Sequence, residues 1–172
     1  MDEIRIVPYD PRWPAMYRAE AERVQSVLPP GLVCAVEHFG STAIPGLVAK
    51  PIIDILVAVR SVPEAREVAV SSMESLGYAF WADNPKRDRL FFVKGLPPHE
   101  GQRTHHVHMT ELDSEIWGRL LFRDYLRTHP KEASRYGALK LELMERYRDD
   151  REAYTDAKSA YVEEIMSLAR SS

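Results

Sequence analysis

The sequence predicts an α+β fold: a mixed β-sheet of four to five strands, flanking helices and a helical C-terminal third. Three observations predict it. Short β-branched and aromatic segments recur through the first two thirds of the chain. One of them, PIIDILVAV at 51–59, is almost continuously apolar, as a strand buried on both faces would be. After Asp113 no strand signal remains, and after Pro130 there is no proline. The 172 residues suffice for one domain, 1–172, with a full core and a helical part at about 114–170.

Taken in order, Pro8, Pro11 and Pro14 punctuate the start, and Pro14 suits the first turn of a helix running to Val27. Pro29-Pro30-Gly31 ends it. Residues 32–39, LVCAVEHF, read as a strand, broken by Gly40-Ser41-Thr42, and the 51–59 strand follows. Ser61-Val62-Pro63-Glu64 has the form of a capping box, opening a helix that Gly77 can stop. YAFW (78–81) and RLFFVKG (89–95) are two short strands around a charged loop. A Pro/Gly loop, Leu96 to Arg103, leads to THHVHMTE (104–111), which alternates as a strand does. Helices follow near 114–128, 130–148 and 151–169. In the last two, Tyr136, Leu139, Leu143 and Tyr147 form one stripe. Tyr154, Ala157, Tyr161, Ile165 and Leu168 form another, and both read as core.

Composition narrows the function classes. Twenty-three basic against 26 acidic side chains leave a net charge of −3, which argues against a nucleic-acid binder. The single cysteine, Cys34, excludes an internal disulfide and any Cys-rich zinc module, and its apolar strand suggests an inert core thiol. The acidic N-terminus does not read as a signal peptide, and no run approaches a membrane span, so a soluble cytoplasmic protein is expected. Arg outnumbers Lys 17 to 6, for which a GC-rich genome is the simpler explanation, although the planar fork of Arg also suits carboxylate or phosphate.

The segment EHFGSTAIPGLVAKPIIDILVAV, 37–59, carries the chemistry. A Gly-Ser turn after a strand offers backbone N–H groups and a hydroxyl to phosphate oxygens, which singles out Gly40, Ser41 and Thr42. Asp54 interrupts an apolar strand and must be paired, hydrogen-bonded or metal-bound to offset its desolvation. Lys50, four residues earlier, is either its partner or a phosphate contact. His106 and His108 share one strand face and His105 lies on the other. The pair would serve as transition-metal ligands with a carboxylate, or hydrogen-bond around a polar cleft, or cap the sheet. Arg119, Arg123 and Arg127 line one helix face, read as a phosphate clamp or as a solvated, ion-paired surface. Lys86, Arg87, Arg89, Lys94 and Arg103 could form a positive mouth, which Asp83, Asp88 and Glu100 dilute. Trp13, Trp81 and Trp117 read as packing residues, with Trp81 able to border a cleft.

The run GSTAIPGLVAKPIIDILV, preceded by YDPRWP and followed by HHVHMTE and LLFRDYLRTHP, closely resembles the GrpB family over essentially the whole chain, from about Ile6 to Tyr161. That resemblance implies the nucleotidyltransferase-like superfamily, with the Gly-Ser turn at the mouth of an active site. Related domains occur fused to dephospho-CoA kinase. The superfamily pattern places a carboxylate at the Asp54 position and a second one two residues on, where this chain has Leu56. Two-metal nucleotidyl transfer needs both on one strand face. Asp54 alone can hold one Mg²⁺ or Mn²⁺ through water and substrate phosphates, with Glu37, Glu111, His106 or His108 completing the set.

The expectation is therefore a protein that binds a nucleotide or another phosphorylated small molecule and transfers a nucleotidyl group. Asp54 and Lys50 would be catalytic, and Gly40, Ser41, Thr42, Lys50 and Arg123 would hold phosphate. A second reading is a catalytically degenerate fold kept as a ligand-binding or folding-assistance module, with a protein partner. A third is a metal-dependent hydrolase using His106 and His108 with Zn, Mn or Fe.

Overall fold

The computed structural model describes residues 5–95 and 102–172, so the expected loop from Leu96 falls almost wholly outside them, with Glu100. The chain divides into two compact units. A sheet unit comprises Arg12–Phe39 and Ile52–Gly118, and a helical unit comprises residues up to Pro11 together with Gly40–Pro51 and Arg119–Ser172.

In the sheet unit, five strands, β1 (Val33–Phe39), β2 (Ile53–Val59), β3 (Tyr78–Phe80), β4 (Arg89–Lys94) and β5 (His105–Thr110), are ordered β1-β2-β5-β4-β3. β2 and β5 are parallel and the other pairs antiparallel, making the mixed sheet that the sequence predicts. Helices α1 (Trp13–Val27) and α2 (Val62–Ser75) pack on one face. Side chains alternate along each strand, so Ile53, Ile55, Val57, Val107, Met109, Leu90 and Phe92 turn to that face, all essentially without solvent exposure. Leu56 and Ala58, on the opposite face of β2, are equally buried. The continuous apolar run of this central strand therefore reflects burial on both sides.

The helix signals act as read. Ser61 Oγ accepts from the Glu64 backbone N–H at 3.2 Å, and Gly77, at φ 91°, supplies the left-handed stop. The Glu64 carboxylate departs from the capping box: it takes Arg60 Nε at 2.9 Å instead of the Ser61 backbone. Cys34 corrects the sequence reading. β1 is an edge strand whose register slips between Val33 and Ala35, and this bulge leaves Cys34 exposed instead of in the core.

The stretch expected as one helix over 114–128 is two, α3 (Glu115–Gly118) and α4 (Leu120–Thr128), and the boundary between the units falls between Gly118 and Arg119. The helical unit holds α4, α5 (Pro130–Arg146) and α6 (Arg151–Arg170). Asp150 caps α6 by accepting from the Ala153 N–H at 3.0 Å. His129 precedes Pro130 without a side-chain cap; its ring stacks on Tyr125 at 3.8 Å. Ile44 and Leu47 enter a core made with Leu126, Ala133, Tyr136, Tyr161 and Ile165. A second cluster joins Leu143 and Tyr154 with Ile6, Tyr147 and Ala157 around them. Both predicted stripes are thus core, except that Leu168, near the end of α6, is exposed. An isolated antiparallel bridge between Val7 and Ala49 pins the residue next to Lys50. No helix among the described residues is long and apolar enough to cross a membrane.

Candidate functional site

In the sheet unit, the strand register brings Asp54 opposite Phe39 on β1 and His106 on β5, with Leu56 opposite His108 and His108 opposite Phe91. These residues share the face turned away from α1 and α2. Asp54 Oδ1 lies 3.3 Å from His106 Nδ1, and both side chains are mostly shielded. The other ring nitrogen, His106 Nε2, is buried and has no hydrogen-bond partner. Phe91 packs edge-on to His106 at 5.1 Å and tilted against His108 at 4.7 Å. In the neutral ring, a carboxylate beside Nδ1 favours the proton on that nitrogen, which leaves the Nε2 lone pair open to a proton or a ligand. The two histidines do share a face, as their spacing predicts; His105, on the other face, adds to the field at Glu20.

The same register separates other candidates. Thr110 pairs with Ala58, so Glu111 stands five residues beyond the level of Asp54, about 16 Å along the strand. Glu37 lies opposite Leu56, diagonal to Asp54. Among the described residues, no group of three or more His, Cys, Asp or Glu could hold a metal ion. Leu56, where a second carboxylate would stand, is fully buried. The residues present do not fit a two-metal centre.

Of the expected positive mouth, two members are committed to ion pairs. Lys94 Nζ reaches the buried Glu20 carboxylate at 2.9 Å, and Tyr78 donates to the same group at 2.8 Å. Burial would raise the Glu20 pKa, but these hydrogen bonds outweigh it and hold it below the usual range. Arg89 Nε pairs with Asp88 at 3.1 Å. Trp13 is core, while Trp81 is half exposed at the edge of Phe91.

In the helical unit, Gly40 adopts φ 74° and ψ −172°, a conformation open mainly to glycine, and opens a 3-10 turn, Ser41–Ala43. Arg127 Nε donates to the Ala43 carbonyl at 2.8 Å and so fastens the turn; Thr42 is buried. Burial pushes the Tyr136 hydroxyl on α5 up from its ordinary pKa, and the nearby Ser41 side chain acts in the opposite sense. Arg123 is buried and takes the Asp124 carboxylate at 2.8 and 2.9 Å. Arg119 is exposed, at the N-cap position of α4. Lys50 Nζ sits 5.0 Å from the centre of the Tyr154 ring.

Two residues that sequence reasoning missed stand beside these. Lys140 Nζ lies 4.9 Å from the centre of the Tyr136 ring, and Lys158 Nζ lies 5.2 Å from the centre of the Tyr154 ring. The available signal was a Tyr followed four residues later by Lys, present on both stripes. A cation on the apolar face of a helix asks for a partner.

A five-stranded mixed sheet under two helices, followed in sequence by a helical C-terminal region, defines an α+β protein of the class that the sequence predicts. The chain belongs to the GrpB family, whose model, described as GrpB protein, matches residues 3–168. It is 48% identical over 169 residues to the UPF0157 protein PA4798 of Pseudomonas aeruginosa, covering 98% of this chain and 68% of that protein. It is 38% identical over 161 residues to the UPF0157 protein YqkA of Bacillus subtilis, covering 93% of this chain but only 45% of YqkA. The crystal structure of conserved protein GrpB from Enterococcus faecalis superposes with a TM-score of 0.86 at 34% identity, over 96% of each chain.

Proposed function

We propose that this chain is a nucleotidyltransferase-like protein that binds a nucleotide or another phosphorylated small molecule. The observation that carries the reading is the Asp54–His106 pair, polar groups on a strand face lined by Phe39 and Phe91, with His106 Nε2 unfilled. A buried imidazole nitrogen without a partner costs free energy that a ligand would recover. Within the helical unit, the Gly40-Ser41 turn and Lys50 support the same class of ligand. With one carboxylate on the strand, Mg²⁺ or Mn²⁺ enters with the ligand's phosphates instead of residing in the protein.

The buried Leu56 favours a second reading in particular, that of a binding module without nucleotidyl transfer. Calorimetric titration with a panel of nucleotides and CoA precursors, with and without Mg²⁺ or Mn²⁺, tests both. Binding by wild type that weakens at least tenfold in Asp54→Asn supports the first reading, and turnover then separates transfer from binding alone. Absent binding, or binding indifferent to Asp54→Asn, overturns it.

A further inference from the structure

Three of the six lysines, Lys50, Lys140 and Lys158, gather in the helical unit around Tyr136 and Tyr154. Local geometry explains how. Gly137 on α5 lets that helix approach the 40–51 segment so closely that an added Cβ would lie 3.2 Å from Val48 and 3.3 Å from Leu47. Lys140 follows three residues later, nearly a full turn on, and points inward on the same side. Lys158 is one turn past Tyr154 on α6, and its ammonium and that of Lys50 both sit on the Tyr154 ring.

Lys140 is 3% exposed, and no carboxylate among the described residues pairs with it. Its charged neighbours are Lys158 and Lys50, and burial together with their repulsion pulls its ammonium down to about 7. The phenol rings do not balance this. A cation–π contact contributes about 0.5–2 kcal/mol, whereas burying an ammonium without a counter-charge costs several kcal/mol. A purely structural role thus leaves a deficit that an anion would remove. Beside the cluster, the Ser41 hydroxyl of the Gly-Ser turn lies close enough to the Tyr136 hydroxyl to influence it, so hydroxyl groups stand next to the cations.

We propose that Lys140, Lys50 and Lys158, with Tyr136 and Ser41 beside them, form a binding site for the phosphate oxyanion of a ligand, in which Lys140 is the buried central cation. This rests on the phosphate-ligand reading above and deepens it by adding Lys140, Lys158 and Tyr136 to the Ser41 and Lys50 that it already uses; the phosphate contacts themselves do not involve Asp54. The three ammonium groups supply point charges and rotatable donors suited to phosphate oxygens.

The test is thermal unfolding and calorimetry with inorganic phosphate, pyrophosphate and AMP, without metal, against chloride at equal ionic strength. Wild type is compared with Lys140→Met, Lys158→Gln and, as a control on the exposed surface of α5, Lys131→Gln. The expected result is stabilisation by phosphate beyond that of chloride in wild type and Lys131→Gln. It is lost in Lys140→Met, with affinity at least tenfold weaker, and reduced several-fold in Lys158→Gln. Lys140→Met should melt no lower than wild type without phosphate, which a structural lysine would not allow. Binding by wild type near pH 8 should also take up a proton, read from the dependence of the heat on buffer ionisation. Should Lys140→Met not fold, Lys158→Gln and the proton uptake decide. A phosphate response absent from wild type, or unchanged in the lysine variants, overturns the proposal. AMP binding tighter than phosphate marks a nucleotide ester, and equal binding a free phosphate; retention of the inorganic-phosphate response alone in Asp54→Asn separates this site from the carboxylate–histidine pair, whose part is read from the nucleotides.

Discussion

Lys140 and Glu20 are buried ionisable groups with opposite circumstances. Glu20 is satisfied by Lys94 and Tyr78, and its pKa is lowered although burial pushes the other way. Its contribution is complete above the ordinary glutamate range and is lost as pH falls through the lower folded value. Replacing Lys94 by Met leaves that carboxylate only Tyr78 and the more distant Arg23, 3.4 Å away, and urea unfolding at pH 7 should show a loss of about 1–3 kcal/mol. Lys140 runs the other way. Its folded value of about 7 lies below that of a lysine in the unfolded chain, so the unfolded state binds more protons above pH 7. Stability should therefore rise with pH from about 7 to about 10, by up to about 1.4 kcal/mol per pH unit from this group. In Lys140→Met that part of the slope should vanish. A slope unchanged by the substitution would contradict the assignment.

Among the elements, β2 and β1 show what a strand's position decides. β2 is central and buried on both faces, so Asp54 stands out against it, and Leu56 fills space that a carboxylate cannot occupy without a partner. Restoring the carboxylate by Leu56→Asp should therefore destabilise the fold by more than about 4 kcal/mol and not create a metal site; a stable, metal-binding Leu56→Asp variant would refute this. β1 lies at the edge and bulges at Cys34. That thiol should react with a disulfide reagent in the native protein at nearly the rate of the denatured one. At α2, Ser61→Ala removes the cap and should cost about 1 kcal/mol in chemical unfolding.

For the whole molecule, each compact unit is assembled from separated stretches of sequence. Ile44 and Leu47, which lie between β1 and β2 in the chain, find their apolar partners on α4, α5 and α6. A chain ending at Gly118 would leave them without those partners. It should express as aggregating or dye-binding material, whereas a well-folded fragment would show that the helices are dispensable.

Read alone, the sequence determined what depends on neighbours in the chain. The apolar run of β2, the Ser61 cap, the Gly77 stop, the stripes of α5 and α6 and the α+β class are all local patterns of period or spacing, as is the shared face of His106 and His108. The tertiary structure decided what depends on residues far apart in sequence. Register set Asp54 against His106 and carried Glu111 away along the strand. The bulge turned Cys34 outward, and the break at Gly118 split one expected helix into two. Packing around Tyr136 and Tyr154 gathered lysines that lie 90 and 18 residues apart in the chain. Burial and the pairing of charges are set by these long-range contacts, and no local pattern encodes which distant residue will supply a counter-charge.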